Sequence, residues 1–359
     1  MKKLFLTIVI LFFSISVVSA QTLTDKIDAV ADSVMANTNL PGMIISVVCG
    51  DFTYEKARGY ADVMNQQPMT LGKTYRIGSV TKTFTITALL QLVDEGKLKL
   101  DDPISKFFPD FPNGDNITVR MLANMTSGIY NFTETEEFND TLENRPLKKW
   151  TEEDALELAI KYPPYFAPGT DFHYSNTNTI MIGMIIEKLT GNSLADEINK
   201  RIIAPLGLKN TVIPTNQYIP GDYSHGYNAG DSLVLPYDDN TTKYDPSWAG
   251  AAGDIISNIE DIKVYIKALG SGSMISKEMQ NERLKWAASL MGGQMGYGLG
   301  IFKVRDNYYG HNGGIPGFTN LSVYSPEKNC SVIVMYNVQI SNLSPDRLAL
   351  RIIDIMNGQ

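Results

Sequence analysis

The sequence is poor in the residues that hold metals and nucleic acids. Its 359 residues include only three His and two Cys, too few for a zinc ribbon or a Cys–His cluster. Its 31 basic side chains are outnumbered by 39 acidic ones, which gives a formal charge of −8. Phosphate backbones are bound by clustered Lys and Arg. We therefore expect no nucleic-acid partner and no metal, and we predict no cofactor.

Long apolar runs are scarce, and the one clear case lies at the N-terminus. Residues 1–20 read MKKLFLTIVILFFSISVVSA, with a basic start, an apolar middle and small residues at the end. This layout is typical of a secretory signal that is cleaved after Ala20. A membrane anchor is the alternative, but the run is short for a span and serines interrupt it. The sequence predicts an exported protein, periplasmic or secreted, with a mature chain over 21–359 and no membrane span.

Strand patterns occupy both ends of the mature chain, and helical patterns lie between them. The predicted strands are 42–50, 52–60, 321–324 and 330–337, and the predicted helices are 23–36, 151–161, 178–189 and 345–356. The strands form two hairpins, the second around the turn Ser325–Asn329. This order predicts one sheet built from both termini, with a largely helical insertion in the middle.

The first motif is Ser79-Val80-Thr81-Lys82, at the start of a predicted helix that runs to about Glu95. A spacing of three places the lysine beside the serine on one helix face. Most of the helix is apolar, and a buried lysine has a lowered pKa that lets it act as a base near pH 7. The pattern therefore predicts an activated serine nucleophile.

The same spacing occurs a second time, in Ser325-Pro326-Glu327-Lys328. This copy falls in the predicted hairpin turn, and Pro326 prevents a helix there. We interpret it as a decoy with no catalytic role.

The second motif is Tyr174-Ser175-Asn176, just before a predicted helix. A tyrosine beside a lysine can act as phenolate or proton shuttle, and an asparagine amide can hold a substrate carbonyl. The alternative is a loop tyrosine followed by a helix-capping asparagine.

The third motif is the run His311-Asn312-Gly313-Gly314 near a predicted strand. Its glycines allow close approach of the backbone to a ligand, and the N–H groups of Gly314 and Ser79 would form an oxyanion hole. We expect His311 to line the cleft and to supply a donor or a partial positive charge. The alternative is a glycine-rich turn with an ordinary histidine.

Together, in this order, the three motifs resemble those of the penicillin-recognising serine hydrolases. More narrowly, the chain resembles class C β-lactamases and secreted serine D-alanyl-D-alanine carboxypeptidases. A third motif of the form H-x-G, instead of K-T-G, resembles the carboxypeptidase branch. The segments that carry the likeness are 75–101, 117–130, 167–208, 248–256 and 297–318.

The resemblance implies an α/β (α+β) fold of the β-lactamase/transpeptidase type. An antiparallel sheet flanked by helices would form one lobe, at about 21–105 and 265–359. An all-helical lobe would span about 106–264, with the site in the groove between the two.

The resemblance also assigns roles to the motif residues. Ser79 would be acylated, Lys82 would take or relay its proton, and Tyr174 would act as acid or base toward the leaving group and the deacylating water. The implied catalytic residues are Ser79, Lys82, Tyr174 and His311, and the implied substrate-binding residues are Asn176, Trp248, Asn312, Gly313 and Gly314.

One departure concerns the substrate's terminal carboxylate. In the carboxypeptidases an arginine and two hydroxyl residues bind it, and here these positions are Phe302, Asn312 and Gly314. Lys303 and Arg305 lie on the same segment, but strand alternation would direct both away from the side that Phe302 faces. The carboxylate anchor is therefore missing or moved.

The function expected from the sequence is acyl-enzyme hydrolysis of the D-alanyl-D-alanine carboxypeptidase or transpeptidase type. The partner would be a peptidoglycan stem peptide, or a small β-lactam or ester. The alternatives are a class C-like β-lactamase, an esterase or a D-aminopeptidase. A different class would be an inactive peptidoglycan-binding relative.

The implied fold also places the strands that hold Cys49 and Cys330 side by side. A disulfide or a pair of buried thiols would result, depending on the strand register.

Overall fold

The structure is a computed structural model that describes residues 22–228, 238–290, 295–339 and 343–358. The export signal predicted over 1–20 lies outside the described residues. The helices are α1 (22–37), α2 (Thr81–Asp94), α3 (Val119–Ala123), α4 (Glu136–Asn144), α5 (Glu152–Ile160), α6 (Asn176–Thr190), α7 (Leu194–Ile198), α8 (Ala204–Leu206), α9 (Gly250–Gly253), α10 (Ile259–Ser271), α11 (Lys277–Arg283) and α12 (Pro345–Met356). The strands are β1 (Gly42–Cys49), β2 (Phe52–Asp62), β3 (Gln67–Pro68), β4 (Tyr75–Arg76), β5 (Tyr227–Asn228), β6 (Asp238–Asp239), β7 (Ile256–Ser257), β8 (Ala288–Leu290), β9 (Met295–Tyr297), β10 (Phe302–Val304), β11 (Tyr308–Ile315), β12 (Phe318–Ser325), β13 (Cys330–Tyr336) and β14 (Val338–Gln339).

The main sheet joins the two ends of the chain, as the strand patterns predicted. In the described residues it has nine antiparallel strands in the order β3-β2-β1-β13-β12-β11-β10-β9-β8. The interior strand β13 is rich in β-branched residues and is buried along its whole length. Such side chains pack well on a pleated surface that is covered on both faces.

Each face of the sheet is covered by helices. The helix α10 packs on β11, β12 and β13 from one side, and α12 packs on β12 and β13. The core beneath α12 also contains Ile27 and Ala31 of α1, whereas Ile262 and Ile266 of α10 belong to a separate core. The sheet lobe is therefore a sandwich of helix, sheet and helix, and the predicted fold class is confirmed.

The helix α2 lies between the sheet lobe and the helical lobe. Its residues Leu89 and Leu90 pack into the core that α3, α5 and α6 share. Nearer its start, Phe84 stacks on Tyr265 of α10, with ring centroids 3.6 Å apart. Because α2 touches both lobes, the residues at its N-terminus lie where the lobes meet.

The predicted lobe boundary at 264/265 falls inside one helix. Along α10, buried residues from Ile259 to Leu269 belong to a core that also holds sheet residues such as Ile333. The predicted boundary therefore divides a helix that packs on the sheet as one unit.

The sequence left open whether Cys49 and Cys330 form a disulfide or remain buried thiols. Cys49 and Cys330 lie directly opposite each other in β1 and β13, and a disulfide joins them.

In the part of the chain that the structure describes, no helix has the length and apolar character needed to cross a bilayer.

Candidate active site

Ser79 lies in a tight 3₁₀ turn, Gly78–Val80, directly before α2. The sequence predicted Ser79 in the first turn of the helix. In the structure it lies one short turn before the helix begins at Thr81. Gly78 has a φ of +53°, and a Cβ at this position would lie 2.8 Å from the amide nitrogen of Gly314. Only glycine fits this turn, which brings β11 against the serine.

Lys82 is fully buried behind Ser79. Its Nζ donates to Ser79 Oγ at 3.1 Å, to Asn176 Oδ1 at 2.7 Å and to the carbonyl of Ala252 at 2.8 Å. These three acceptors use all three ammonium donors, and none of them is a carboxylate. Burial lowers the pKa of Lys82 well below its usual range, because a charged group loses its hydration there.

Tyr174 packs against the lysine, with Lys82 Nζ 4.8 Å from its ring centroid. Its hydroxyl is buried beside Ser79, without the geometry of a full hydrogen bond. Burial raises the pKa of Tyr174, and the contact with Ser79 lowers it only in part. The phenol therefore keeps its proton near neutral pH.

His311 is fully buried beneath the site. Its Nδ1 lies 2.5 Å from the carbonyl oxygen of Asn312, so Nδ1 carries the proton, and Nε2 faces the Tyr297 hydroxyl at 3.4 Å. Burial, followed by the charge of Lys82, lowers the pKa of His311 to about 3. The ring is therefore neutral near pH 7, and its Nδ1 proton is directed at the carbonyl of Asn312.

A pocket opens in front of Ser79 at the groove between the lobes. The residues that line it are Ser79, Thr133, Phe138, Asn176, Trp248, Ala249, Ala252, Gly253, Gly314 and Ile315. Trp248 and Phe138 form an apolar wall, with ring centroids 5.3 Å apart in an edge-on arrangement. The structure thus brings Ser79, Asn176, Trp248 and Gly314 together, with Lys82 directly behind them.

Asn176 is the first residue of α6, not its cap. Its side chain accepts from Lys82 through Oδ1 and donates to Thr133 Oγ1 through Nδ2 at 3.0 Å. The motif asparagine is therefore part of the site, and the alternative of a simple capping residue does not hold.

Asn312 and Gly313 of the third motif are not among the described residues that line the pocket. The Asn312 amide donates to Asp346 of α12 at 3.2 Å, so its side chain points away from Ser79. A Cβ on Gly313 would lie 2.0 Å from the carbonyl oxygen of Ile77. Gly313 therefore allows β11 to pack against the turn that holds Ser79 and does not line the pocket.

The segment 302–305, where a carboxylate anchor was sought, places neither Lys303 nor Arg305 among the described residues that line the pocket. The Phe302 ring packs on His311, with centroids 4.7 Å apart. Arg305 pairs with Asp354 of α12 at 3.5 Å, which keeps its charge away from the pocket.

Sequence reasoning missed several residues that complete the site. Asn131 accepts from the backbone N–H of Asn176 at 3.0 Å, and Thr133 lines the pocket. Both follow directly on the segment 117–130 that carried the family likeness, so that likeness was the available signal. The carbonyl of Ala252 had no signal, because any residue type supplies one. Within the described ranges, no group of three or more His, Cys, Asp or Glu side chains is placed to hold a metal ion.

The fold and this arrangement define a serine hydrolase with a lysine behind its serine, on a β-lactamase/transpeptidase-like scaffold. The Beta-lactamase family model matches residues 27–356, which is nearly the whole described chain. The protein belongs to the Beta-lactamase family.

The curated relatives include enzymes and penicillin-binding proteins. Penicillin-binding protein 4* of Bacillus subtilis is 26% identical over 310 residues, which cover 82% of this chain and 68% of the relative. A D-aminopeptidase of Cereibacter sphaeroides is 27% identical over 323 residues, which cover 88% of this chain and 60% of the relative. The chain therefore spans only part of the length of these relatives.

Solved structures match over nearly their full length. A D-stereospecific amidohydrolase from Streptomyces sp. has a TM-score of 0.82 and 31% identity, covering 92% of this chain and 97% of that one. The D-amino acid amidase from Ochrobactrum anthropi SV3, complexed with D-phenylalanine, has a TM-score of 0.82 and 28% identity, covering 94% and 99%.

Proposed function

We propose that this protein hydrolyses amide bonds on the carbonyl side of D-amino acids through an acyl-enzyme on Ser79. The observation that carries the proposal is the contact of Ser79 Oγ with a fully buried lysine at the edge of a pocket. The D-configuration is supported by two relatives that match the chain, the D-aminopeptidase and the D-amino acid amidase.

Acylation begins when Ser79 Oγ attacks the substrate carbonyl carbon. Lys82 accepts the serine proton, because burial lowers its pKa while burial raises the pKa of Tyr174 and keeps that phenol protonated. The oxyanion of the tetrahedral intermediate accepts hydrogen bonds from the N–H groups of Ser79 and Gly314. Tyr174, beside Ser79, protonates the leaving amine, and the ammonium of Lys82 replaces the tyrosine's proton.

Deacylation reverses the same proton transfers with water as the nucleophile. A water molecule loses a proton to the Tyr174–Lys82 pair and attacks the ester carbonyl. The intermediate then collapses, Ser79 Oγ leaves and regains a proton, and the carboxylic acid product departs. Asn176, which lines the pocket beside Lys82, contacts the acyl part of the substrate.

The described lining of the pocket contains no cationic anchor for a terminal carboxylate. None of its described lining residues is Lys or Arg, and Arg305 is paired with Asp354. Lys and Arg are also absent from the sequences of the internal segments that lie between the described residues, namely 229–237, 291–294 and 340–342. A cation is the usual partner of a bound carboxylate, so we expect no strong preference for peptides ending in D-Ala-D-Ala over amides. The carboxypeptidase activity expected from the sequence stays a prediction.

Reaction with β-lactams is a second candidate on the same site. It is supported by the match to Penicillin-binding protein 4* and uses the same serine, lysine and oxyanion donors.

We also propose that the protein is exported and that residues 1–20 are cleaved off. This part of the proposal rests on the signal pattern alone.

The test compares the D- and L-enantiomers of an aromatic amino acid amide at equal concentration. The proposal predicts a kcat/KM at least about a hundredfold higher for the D-enantiomer, which corresponds to some 2.7 kcal/mol of discrimination. Ser79→Ala serves as the background control. Equal rates for the two enantiomers, or turnover that persists in the alanine variant, would contradict the proposal.

A further inference from the structure

A chain of four hydrogen bonds links Lys82 to Glu134, an acidic residue at the rim of the helical lobe. Lys82 Nζ contacts Asn176 Oδ1 at 2.7 Å, and Asn176 Nδ2 contacts Thr133 Oγ1 at 3.0 Å. Thr133 Oγ1 contacts Asn131 Oδ1 at 3.0 Å, and Asn131 Nδ2 contacts Glu134 Oε1 at 3.0 Å. Each member therefore touches the next through a side-chain atom.

The chemistry of its two ends fixes the direction of this chain. An ammonium only donates and a carboxylate only accepts, so every link runs from Lys82 toward Glu134. The Asn176 amide must point its oxygen at the lysine and its NH₂ at Thr133. The Thr133 hydroxyl must then donate to Asn131, whose NH₂ faces the carboxylate.

The carboxylate at the far end is held by further donors. Tyr165 donates its hydroxyl to Glu134 Oε2 at 2.6 Å, and His173 Nε2 lies 3.2 Å from Oε1. The rings of Tyr165 and His173 stack, with centroids 3.7 Å apart. Burial raises the pKa of Glu134, but the hydrogen bonds from Tyr165, Asn131 and His173 outweigh it and leave a net lowering. The acceptor at this end is therefore charged at neutral pH.

We propose that Glu134 is a positioning residue for the reaction, which orients the Asn176 amide and thereby sets how readily Lys82 gives up its proton. The inference rests on the proposed function because it assigns Lys82 the role of base. Aligned hydrogen bonds polarise one another, so the negative end makes Asn176 Oδ1 a better acceptor for the ammonium.

The direction of the effect follows from the partners of the lysine. Lys82 is faced by Tyr174, by neutral His311 and by Ser79, and none of these supplies a negative charge. Loss of the Glu134 charge weakens the acceptor for the ammonium and leaves the neutral amine unaffected. The pKa of Lys82 should then fall further, and the acid limb of the acylation rate should move to lower pH.

The experiment reads Lys82 directly, by NMR titration of the full chain with labelled lysine, with Lys82→Ala used to assign the signal. Glu134→Gln should lower the pKa of Lys82 by about 0.5 units. The matched control is Glu137→Gln, which removes an equal charge from a carboxylate of the same lobe that pairs with Lys161 on the surface. This control should leave the lysine titration unchanged.

A second variant tests the route of the coupling. Thr133→Val keeps the side-chain shape and removes the hydroxyl link, so adding Glu134→Gln to it should produce no further shift. Equal shifts in the Glu134 and Glu137 variants, no shift in Glu134→Gln, or the same Glu134 shift with and without the Thr133 hydroxyl would overturn the proposal. The titration does not depend on turnover, so failure to hydrolyse D-amino acid amides would overturn the proposed function and leave this result intact.

Discussion

The Ser-x-x-Lys pattern occurs twice in the chain, in two very different surroundings. Ser79 and Lys82 lie in consecutive turns at the start of α2, 3.1 Å apart, with the lysine fully buried. Ser325 ends β12 and is buried in the sheet. Lys328 lies in the following turn, where its Nζ contacts Asn357 at 2.5 Å and Asp306 at 3.7 Å.

The backbone makes the difference between these two copies. A helical turn brings residues three apart onto the same face, whereas a hairpin turn after a strand separates them. The first lysine also loses its hydration, so its pKa is lowered, whereas the second keeps an acidic neighbour. The same four-residue pattern thus places a serine against a buried lysine in one place and two unrelated side chains in the other.

The largest expected effect separates the two serines. Ser79→Ala should reduce hydrolysis at least about ten-thousandfold, because no other group replaces the attacking oxygen. Ser325→Ala should leave kcat/KM within twofold of the wild type. Steady-state kinetics on the two purified variants makes this comparison, with circular dichroism as the folding control. Comparable losses in both would show that the decoy interpretation is wrong.

The two lysines provide the next comparison. Lys82→Arg should lower the acylation rate about a thousandfold, since a guanidinium cannot be deprotonated to act as a base. Lys328→Arg keeps a surface cation and should have no measurable effect. Single-turnover acylation kinetics provides the readout. Near-normal acylation in the Lys82 variant would show that Lys82 does not act as a base and contributes only its charge.

The burial of His311 beneath the Ser79 site should also lower the free energy of unfolding at low pH. His311 has a pKa of about 3 in the folded protein, against about 6.5 for a histidine in an unfolded chain. The unfolded state therefore binds a proton first as the pH falls, and the folded state loses stability from about pH 6.5 downward. This group alone should cost about 3 kcal/mol between pH 7 and pH 4.

Urea unfolding of the wild type and His311→Gln at both pH values measures this contribution. The variant should lose about 3 kcal/mol less on acidification, whatever its stability at pH 7. Parallel losses in the two proteins would show that His311 is not held neutral by burial.

The smallest expected effect concerns the missing carboxylate anchor. A peptide ending in D-Ala-D-Ala and its C-terminal amide should be hydrolysed with kcat/KM values within tenfold of each other, because no Lys or Arg is among the described residues that line the pocket. A preference above about a hundredfold for the free acid requires a cationic site. In that case Arg305→Ala, which removes the cation nearest in sequence to Phe302, becomes the decisive variant.

Much of the fold follows from local sequence signals. The helix α12 has the bounds predicted from the sequence pattern, and it begins at Pro345, which suits the first helical position, after the cap Ser344. The hairpin of β1 and β2 and the pairing of β12 with β13 followed from β-branched runs separated by turns. The position of α10 relative to the lobes did not follow, because helix periodicity does not say which core a helix will join.

The site was predictable where a side chain's role depends on its neighbours in sequence. Ser79 and Lys82 meet because a helix turn brings them together. The four residues of the third motif were all assigned to the site, although strand alternation sends Asn312 toward α12. The charge of His311 and the contacts of Asn131 depend on tertiary packing, which local sequence does not encode.

Locating the acylated residue tests the assignment of Ser79 as the nucleophile most directly. The protein is exposed to a fluorescent penicillin, quenched rapidly, weighed intact and digested for peptide mapping. We expect one adduct per chain, on the peptide that contains Ser79, and none on the peptide that contains Ser325. An adduct on any other residue, or an equal adduct in Ser79→Ala, would contradict the assignment of Ser79 as the nucleophile.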